Sequence, residues 1–238
     1  MVEFVDTSLR GARFVRVDLS GAVMRAVDVQ GMDIDAPWLL DGSSTLLVNG
    51  VDVAPLVDAE LDRRFPGRST RRAEDPDGLR AAWSAVESAW AAAVDRAMRM
   101  PAGTVDRSVD AEWSFAQTLR HLVMATDVWF RGAILGVAEP LHPIGMPNVE
   151  YATDGHDMSV FSDEAPTFEQ VLAVRADHQA MVRDYLAGVT DADLEVPRAN
   201  PWDPEHVEST RSCLQVILEE EWEHLRFSLR DLHTLQSR

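Results

Sequence analysis

Residues 218–227 read LEEEWEHLRF, with a histidine one helical turn after the second of three consecutive glutamates. A carboxylate and an imidazole four residues apart share one face of a helix. Such a pair forms a local ion pair or supplies two ligands to a cation. On one helix alone the ion pair is the simpler reading. A third group comes from WSFAQTLRHLVMATDVWF (113–130), where His121 stands among Leu119, Leu122, Val123 and Ala125. Alone, a histidine on an apolar face is more often a satisfied core residue. In combination, one ligand from one helix and two at i and i+4 from another make a three-point site with open positions, which is how catalytic rather than structural metal centres are built. Zn²⁺ is favoured there, and Ni²⁺, Fe²⁺ or Mn²⁺ also fits.

Four amphipathic helices must position these groups. The first runs from about Asp77 to Met100, with Leu79, Trp83, Val86, Trp90, Val94 and Met98 at steps of three and four. A second follows Ser114, an N-cap with Gln117 three residues on, and reaches Ile134; a third follows Thr167, boxed by Gln170, and reaches about Leu186. The fourth covers Ser209 to Leu235. On it Cys213, Ile217, Glu220, His224 and Phe227 fall on one stripe, beside a second of Leu214, Leu218, Leu225, Leu229 and Leu232. Glu219, Glu223, Arg226 and Arg230 are left for a solvated face. Glu221 lies at i+3 from His224 and reaches the same cation, so the carboxylate is Glu220 or Glu221, with the i,i+4 spacing favouring Glu220.

Other groups carry less. His178 is in register with Val171, Val174, Met181 and Tyr185 and reads as structural, with a hydrogen bond to a ligand or a substrate contact as the alternative. His142, His156, His206 and His233 read as exposed, and Cys213 as a buried resting thiol. Residues 136–166 form an irregular stretch that is a lid, a binding loop or mobile surface. Trp113, Trp129 and Trp202 are available to shape a pocket.

Upstream, Phe4, Leu9, Phe14, Leu19, Met24, Val29, Ile34 and Leu39 recur every five residues. Neither a helix nor a flat strand returns every fifth residue to one face, whereas a square coil with a corner every five residues does. The pattern resembles the pentapeptide-repeat family, which implies a right-handed quadrilateral β-helix, here of only about two coils and in need of a surface to lean on. TLLVNGVDV (45–53) carries Asn49-Gly50 between β-rich runs, a hairpin signal. Residues 56–65 suit a short helix and 67–78 a polar linker. The expected organisation is a β segment over 1–70 and a bundle over 71–238, and the expected fold class is mainly α: a four-helix bundle preceded by a short β-coil and hairpin.

The whole chain has 238 residues, a formal charge of −18 and 22 basic residues, every one of them arginine. That charge repels phosphate backbones and anionic bilayers, so neither nucleic acid nor membrane is an expected partner. A single cysteine and the lack of a signal-like or membrane-length apolar run suit a reducing cytoplasm.

HLVMATDVW on the second helix and LEEEWEHLRFSLRDL on the fourth resemble the DinB superfamily of four-helix bundles, particularly an actinobacterial branch that includes mycothiol-dependent maleylpyruvate isomerases and S-transferases. The likeness covers roughly residues 75–236. Many members bind a metal through three histidines, and in the isomerase branch the first residue of the fourth-helix pair is glutamate. Carried over, the ligands are His121, Glu220 and His224. The resemblance implies a metal-dependent thiol S-transferase or isomerase, with a small thiol and an electrophile as partners and a homodimer among the assemblies it allows. A hydrolase in which the cation activates water, or a non-catalytic binding protein with a vestigial site, is the alternative.

Overall fold

The computed structural model describes residues 2–40, 44–203 and 205–237. The chain divides into two compact units between Ala36 and Pro37. In the first unit the backbone turns at five-residue intervals: Asp6, Arg16 and Ala26 have φ of 51–53°, and Gly11, Gly21 and Gly31 have φ of 71–77°. Ala12, Ala22 and Met32 N–H donate to the carbonyls of Leu9, Leu19 and Val29, one such turn every ten residues. The apolar rungs from Phe4 to Ile34 all remain exposed.

The second unit opens with the hairpin of β1 (Leu47–Val48) and β2 (Val51–Asp52), paired Val48 to Val51. Asn49 and Gly50 take φ of 51° and 81°, the two positive angles a two-residue hairpin of this twist requires. Helices α1 (Ala54–Arg64), α2 (Pro76–Met98) and α3 (Phe115–Thr126) follow. Past Thr126 the helix continues to Ile134 as a π-helix, Asp127–Ile134, rather than as the α-helix expected throughout. Next come α4 (Phe168–Gly188), the single turn α5 (Asp191–Leu194), the paired strands β3 (Pro197–Ala199) and β4 (Val207–Ser209), and α6 (Thr210–Gln236).

Helices α2 and α3 each pack on both α4 and α6, which makes the four-helix bundle. The ends form where the side chains dictate. Ser114 and Thr167 each accept from the N–H three residues on, while Gln117 and Gln170 reach back to the cap N–H, so both capping boxes are complete. The core between the helices holds Trp90, Trp222, Phe130, Leu79 and Leu122, each almost wholly buried. Burial of each such side chain stabilises the fold by about 2–3 kcal/mol.

Two expectations are corrected. The stretch read as a polar linker contains a 3₁₀ turn, Arg68–Arg72, in which Arg68 and Arg71 are buried. Arg68 binds Asp58 and Asp62 at 2.7 Å, and Arg71 binds Asp58 at 2.8 Å and Glu219 at 2.6 Å. These ion pairs tie α1 to α6, so the structural division falls at residue 36, well before the boundary expected near 70. Nor do Glu219 and Glu223 lie on a solvated face: Glu219 meets Arg71, and Glu223 sits between Arg226 at 2.9 Å and Arg68 at 3.7 Å.

Candidate metal centre

The buried stripe of α6 runs through Cys213, Ile217, Glu221, Leu225, Ser228 and Leu232. Steps of four from Cys213 therefore lead to Glu221, not to Glu220 as the stripe drawn from sequence had it. Glu221 enters the core and accepts from Arg175 of α4 at 2.8 Å. Glu220, one residue away and about 100° round the helix, stands at the margin of the core opposite α3.

There it meets two imidazoles. Glu220 Oε2 lies 3.1 Å from His224 Nε2 and 3.5 Å from His121 Nε2. The two rings are 4.8 Å apart, inclined at 62°. One ligand atom from each of the three side chains falls within 4.8 Å of the other two, the one such group of three among the described residues. A tetrahedral cation with bonds of ~2.1 Å requires ligand separations of ~3.4 Å, close to the Glu220 distances. All three side chains keep a little solvent access, 13% for His121, 16% for His224 and 36% for Glu220.

The electrostatics fit a cation. Of the four acids in this turn, Glu219, Glu221 and Glu223 have guanidinium partners, whereas the partners of Glu220 are imidazoles. Burial pushes the Glu219 and Glu221 carboxyls up, opposed by Arg71 and Arg175 respectively. Burial acts on Glu220 too, but the two imidazoles beside it, His121 and His224, prevail and hold it far below the usual carboxylate range. Burial, aided by nearby His121, lowers His224 below the ordinary histidine value against the pull of Glu220. An imidazole that stays neutral is ready to coordinate.

His121 is oriented from behind. Its Nδ1 donates to the Met146 carbonyl at 3.0 Å, because a carbonyl can only accept. In the neutral ring Nε2 then carries the lone pair, aimed at Glu220 Oε2. Two acceptors facing each other need a cation between them, either a proton or a metal ion. The 136–166 segment thus contributes a backbone group to the site. Trp113, just before the Ser114 cap, lays its ring 4.6 Å from that of His121 and 5.9 Å from that of His224. Phe227 stands 6.0 Å from His224, with the Arg226 guanidinium 4.3 Å over its ring.

A DinB superfamily model matches residues 53–228, and a pentapeptide-repeat model matches eight copies over residues 3–35. The chain belongs to the DinB superfamily. The His121–Glu220–His224 cluster suits a metal-binding member of the superfamily. No curated protein and no solved structure matches the chain. As in the bundle expected of a DinB protein, the cluster spans the second and fourth long helices, α3 and α6.

The remaining candidates separate from this DinB cluster. His178 is buried and binds Asp127 Oδ1 at 2.6 Å through Nε2 and the Val174 carbonyl at 2.8 Å through Nδ1. His142 is half-buried rather than exposed: its ring accepts from Ile144 N–H at 3.1 Å, and burial lowers its pKa despite Asp127. His156, His206 and His233 are exposed. Cys213 is fully buried and its thiol is pushed up to about 11 by burial, as suits a resting thiol. Of the three tryptophans only Trp113 reaches the cluster; Trp129 is in the core, and Trp202 stands 6.2 Å from Tyr151.

Proposed function

We propose that the protein is a divalent-metal-dependent enzyme acting through a low-molecular-weight thiol of the mycothiol type, as an S-transferase or an isomerase. His121, Glu220 and His224 would hold the cation, with Zn²⁺ favoured. The observation that carries this reading is Glu220, a carboxylate turned away from every arginine that pairs its neighbours and toward two imidazole nitrogens. When bound, a divalent cation supplies Lewis acidity that lets a thiol ionise near neutral pH.

The chain's own groups do the rest. Met146 fixes the His121 tautomer, and Glu220 places one negative charge between the rings. Trp113 covers both imidazoles on one side and keeps water from that side. Substrates reach the trio from its accessible side. In transfer, a carbon–sulfur bond forms as the electrophile's leaving group departs. In isomerisation the same bond forms and breaks again after rotation. A reducing cytoplasm suits both a free thiol substrate and the lone Cys213.

Elemental analysis of the purified protein, of His121→Ala and of His224→Ala tests the centre. Stoichiometric transition metal is expected in the wild type and loss of it in both folded variants. A folded wild type that takes up no metal under replete conditions overturns the reading. Given metal, consumption of a test electrophile that depends on mycothiol supports thiol chemistry, whereas ester cleavage without thiol favours the hydrolase.

A further inference from the structure

The segment that orients His121 is itself fastened, and the fastening begins at a fully buried carboxylate. Asp127 opens the π-helix. Its Oδ2 accepts from the His142 backbone N–H at 2.7 Å, and its Oδ1 accepts from Arg131 at 2.9 Å and lies 2.6 Å from His178 Nε2. Arg131 also donates to the Pro140 carbonyl. Asp127 thus grips residues 140–142 both directly and through Arg131. A polar side chain this deep needs partners for its oxygens, and His142 N–H, Arg131 and His178 between them engage both.

From His142 to Met146 the chain has no slack. Gly145 N–H donates to the His142 carbonyl at 2.8 Å, closing a tight turn. A Cβ at Gly145 would stand 3.1 Å from that carbonyl and 3.1 Å from the Phe161 ring, so the turn is pressed between its own backbone and a side chain. Arg120 Nε donates to the Ile144 carbonyl at 2.8 Å, and Met146 N–H donates to the Arg120 carbonyl at 3.2 Å. The next group along is the Met146 carbonyl that receives His121 Nδ1–H. A contiguous run of packed, hydrogen-bonded groups therefore leads from Asp127 to the imidazole.

We propose that Asp127 is a positioning residue of the metal centre: by fixing residues 140–142 it sets, through the 142–146 turn, the carbonyl that holds the tautomer and orientation of His121. His178, which reaches Asp127 from α4, belongs to the same device. The inference rests on the proposed metal centre. Groups that orient a metal-binding histidine from behind typically change metal affinity about 10–100-fold when removed.

The test uses full-length protein with Asp127→Ala, Asp127→Asn and, as a control for lost stability alone, Leu79→Ala, a cavity in the core of α2 away from this segment. Two properties are read in protein shown to be folded: the zinc dissociation constant by chelator competition, and the His121 ring tautomer by ¹⁵N NMR after metal removal. Asp127→Ala is expected to weaken zinc by about 10–100-fold and to abolish the Nδ1–H preference. Asp127→Asn, which keeps a carbonyl oxygen for His142 N–H, is expected to recover most of both, and Leu79→Ala to change neither. A folded Asp127→Ala equal to wild type in both, or a Leu79→Ala equally impaired, overturns the proposal. Should Asp127→Ala fail to fold, His178→Gln decides by the same readings: weaker zinc binding and a loss of the Nδ1–H preference are expected, and wild-type values of both overturn the proposal. A wild type that binds no zinc defeats the proposed function, and the tautomer then judges Asp127 by itself.

Discussion

Glu220 and Glu221 are adjacent on α6, yet Glu220 Oε2 lies 3.1 Å from His224 Nε2 while Glu221 Oε2 lies 2.8 Å from Arg175. The first faces the candidate metal centre and the second the core. Their substitutions should part accordingly. Glu220→Gln is expected to weaken metal binding at least tenfold with little loss of stability. Glu221→Gln removes the carboxylate that directly pairs buried Arg175 and is expected to destabilise by about 3 kcal/mol while metal uptake by the folded protein persists. Chelator competition and urea unfolding of the two variants check this.

Trp113 lies within contact of both imidazoles. Titration with Co²⁺ or Ni²⁺ is expected to quench part of the tryptophan emission with one-to-one stoichiometry. In Trp113→Phe that saturable component should disappear although metal still binds. Quenching that survives the substitution would place the ion elsewhere.

Acid should weaken the centre in two ways. Protonation of the imidazoles competes with the metal, so affinity falls as pH falls. In the metal-free protein, His224 has a folded pKa below the ordinary 6.5, so the unfolded chain binds more protons in the window beneath 6.5. The stability it contributes is thus present above that value and lost as pH falls toward the folded pKa. Glu220 acts in the same direction at lower pH, since its folded pKa is depressed. Urea midpoints of EDTA-treated wild type should drop more between about pH 7 and 5 than those of His224→Gln.

Arg71 joins Asp58 on α1 to Glu219 on α6. Its removal leaves these acids facing one another across a low-dielectric seam. Because Asp58 and Glu219 are each about a quarter exposed, the loss for Arg71→Ala is expected near 2 kcal/mol rather than the ~3–5 kcal/mol of a wholly buried pair. Urea unfolding measures it, and metal stoichiometry should be unaffected.

The bundle's core cluster and the side chains packed against it, from Phe65 and Ala73 onward, belong to the unit Pro37–Arg238. A chain of residues 37–238 is therefore expected to fold cooperatively and to take up metal as the full protein does. Circular dichroism on heating, with metal analysis, checks both.

Much of this was legible in the residues. Long runs such as Leu79, Trp83, Val86 and Trp90 announce their helix, and Ser114 with Gln117 announces its start, because the signals are local. His121 and His224 stand out by their spacing and apolar setting, and the structure brings them together with Glu220. The choice between Glu220 and Glu221 turns on helix rotation: the i,i+4 spacing to His224 favours Glu220, but the buried stripe of Cys213 and Ile217 continues to Glu221, so placing Glu220 on that stripe is incorrect. Arg68 and Arg71 read as linker because their compensation comes in part from Glu219, 148 residues from Arg71. Asp127 was overlooked, although a carboxylate three residues from both Met124 and Phe130 interrupts an apolar stripe and could have been noticed. The Met146 carbonyl carries no sequence signal at all, since every residue has one.

The π-helix absorbs one residue of length without turning the chain that follows. A π turn holds in effect one residue more than an α turn, and the Leu135 N–H to Phe130 carbonyl bond of 2.9 Å records that surplus. Deleting one residue of 128–134 would remove that surplus and let the segment rewind as an ordinary helix with the chain beyond it near its present rotation, because about seven α residues turn as far as eight π residues. The spacing of Asp127 and Arg131 within the segment would change, while residues 140–146 could stay where they are.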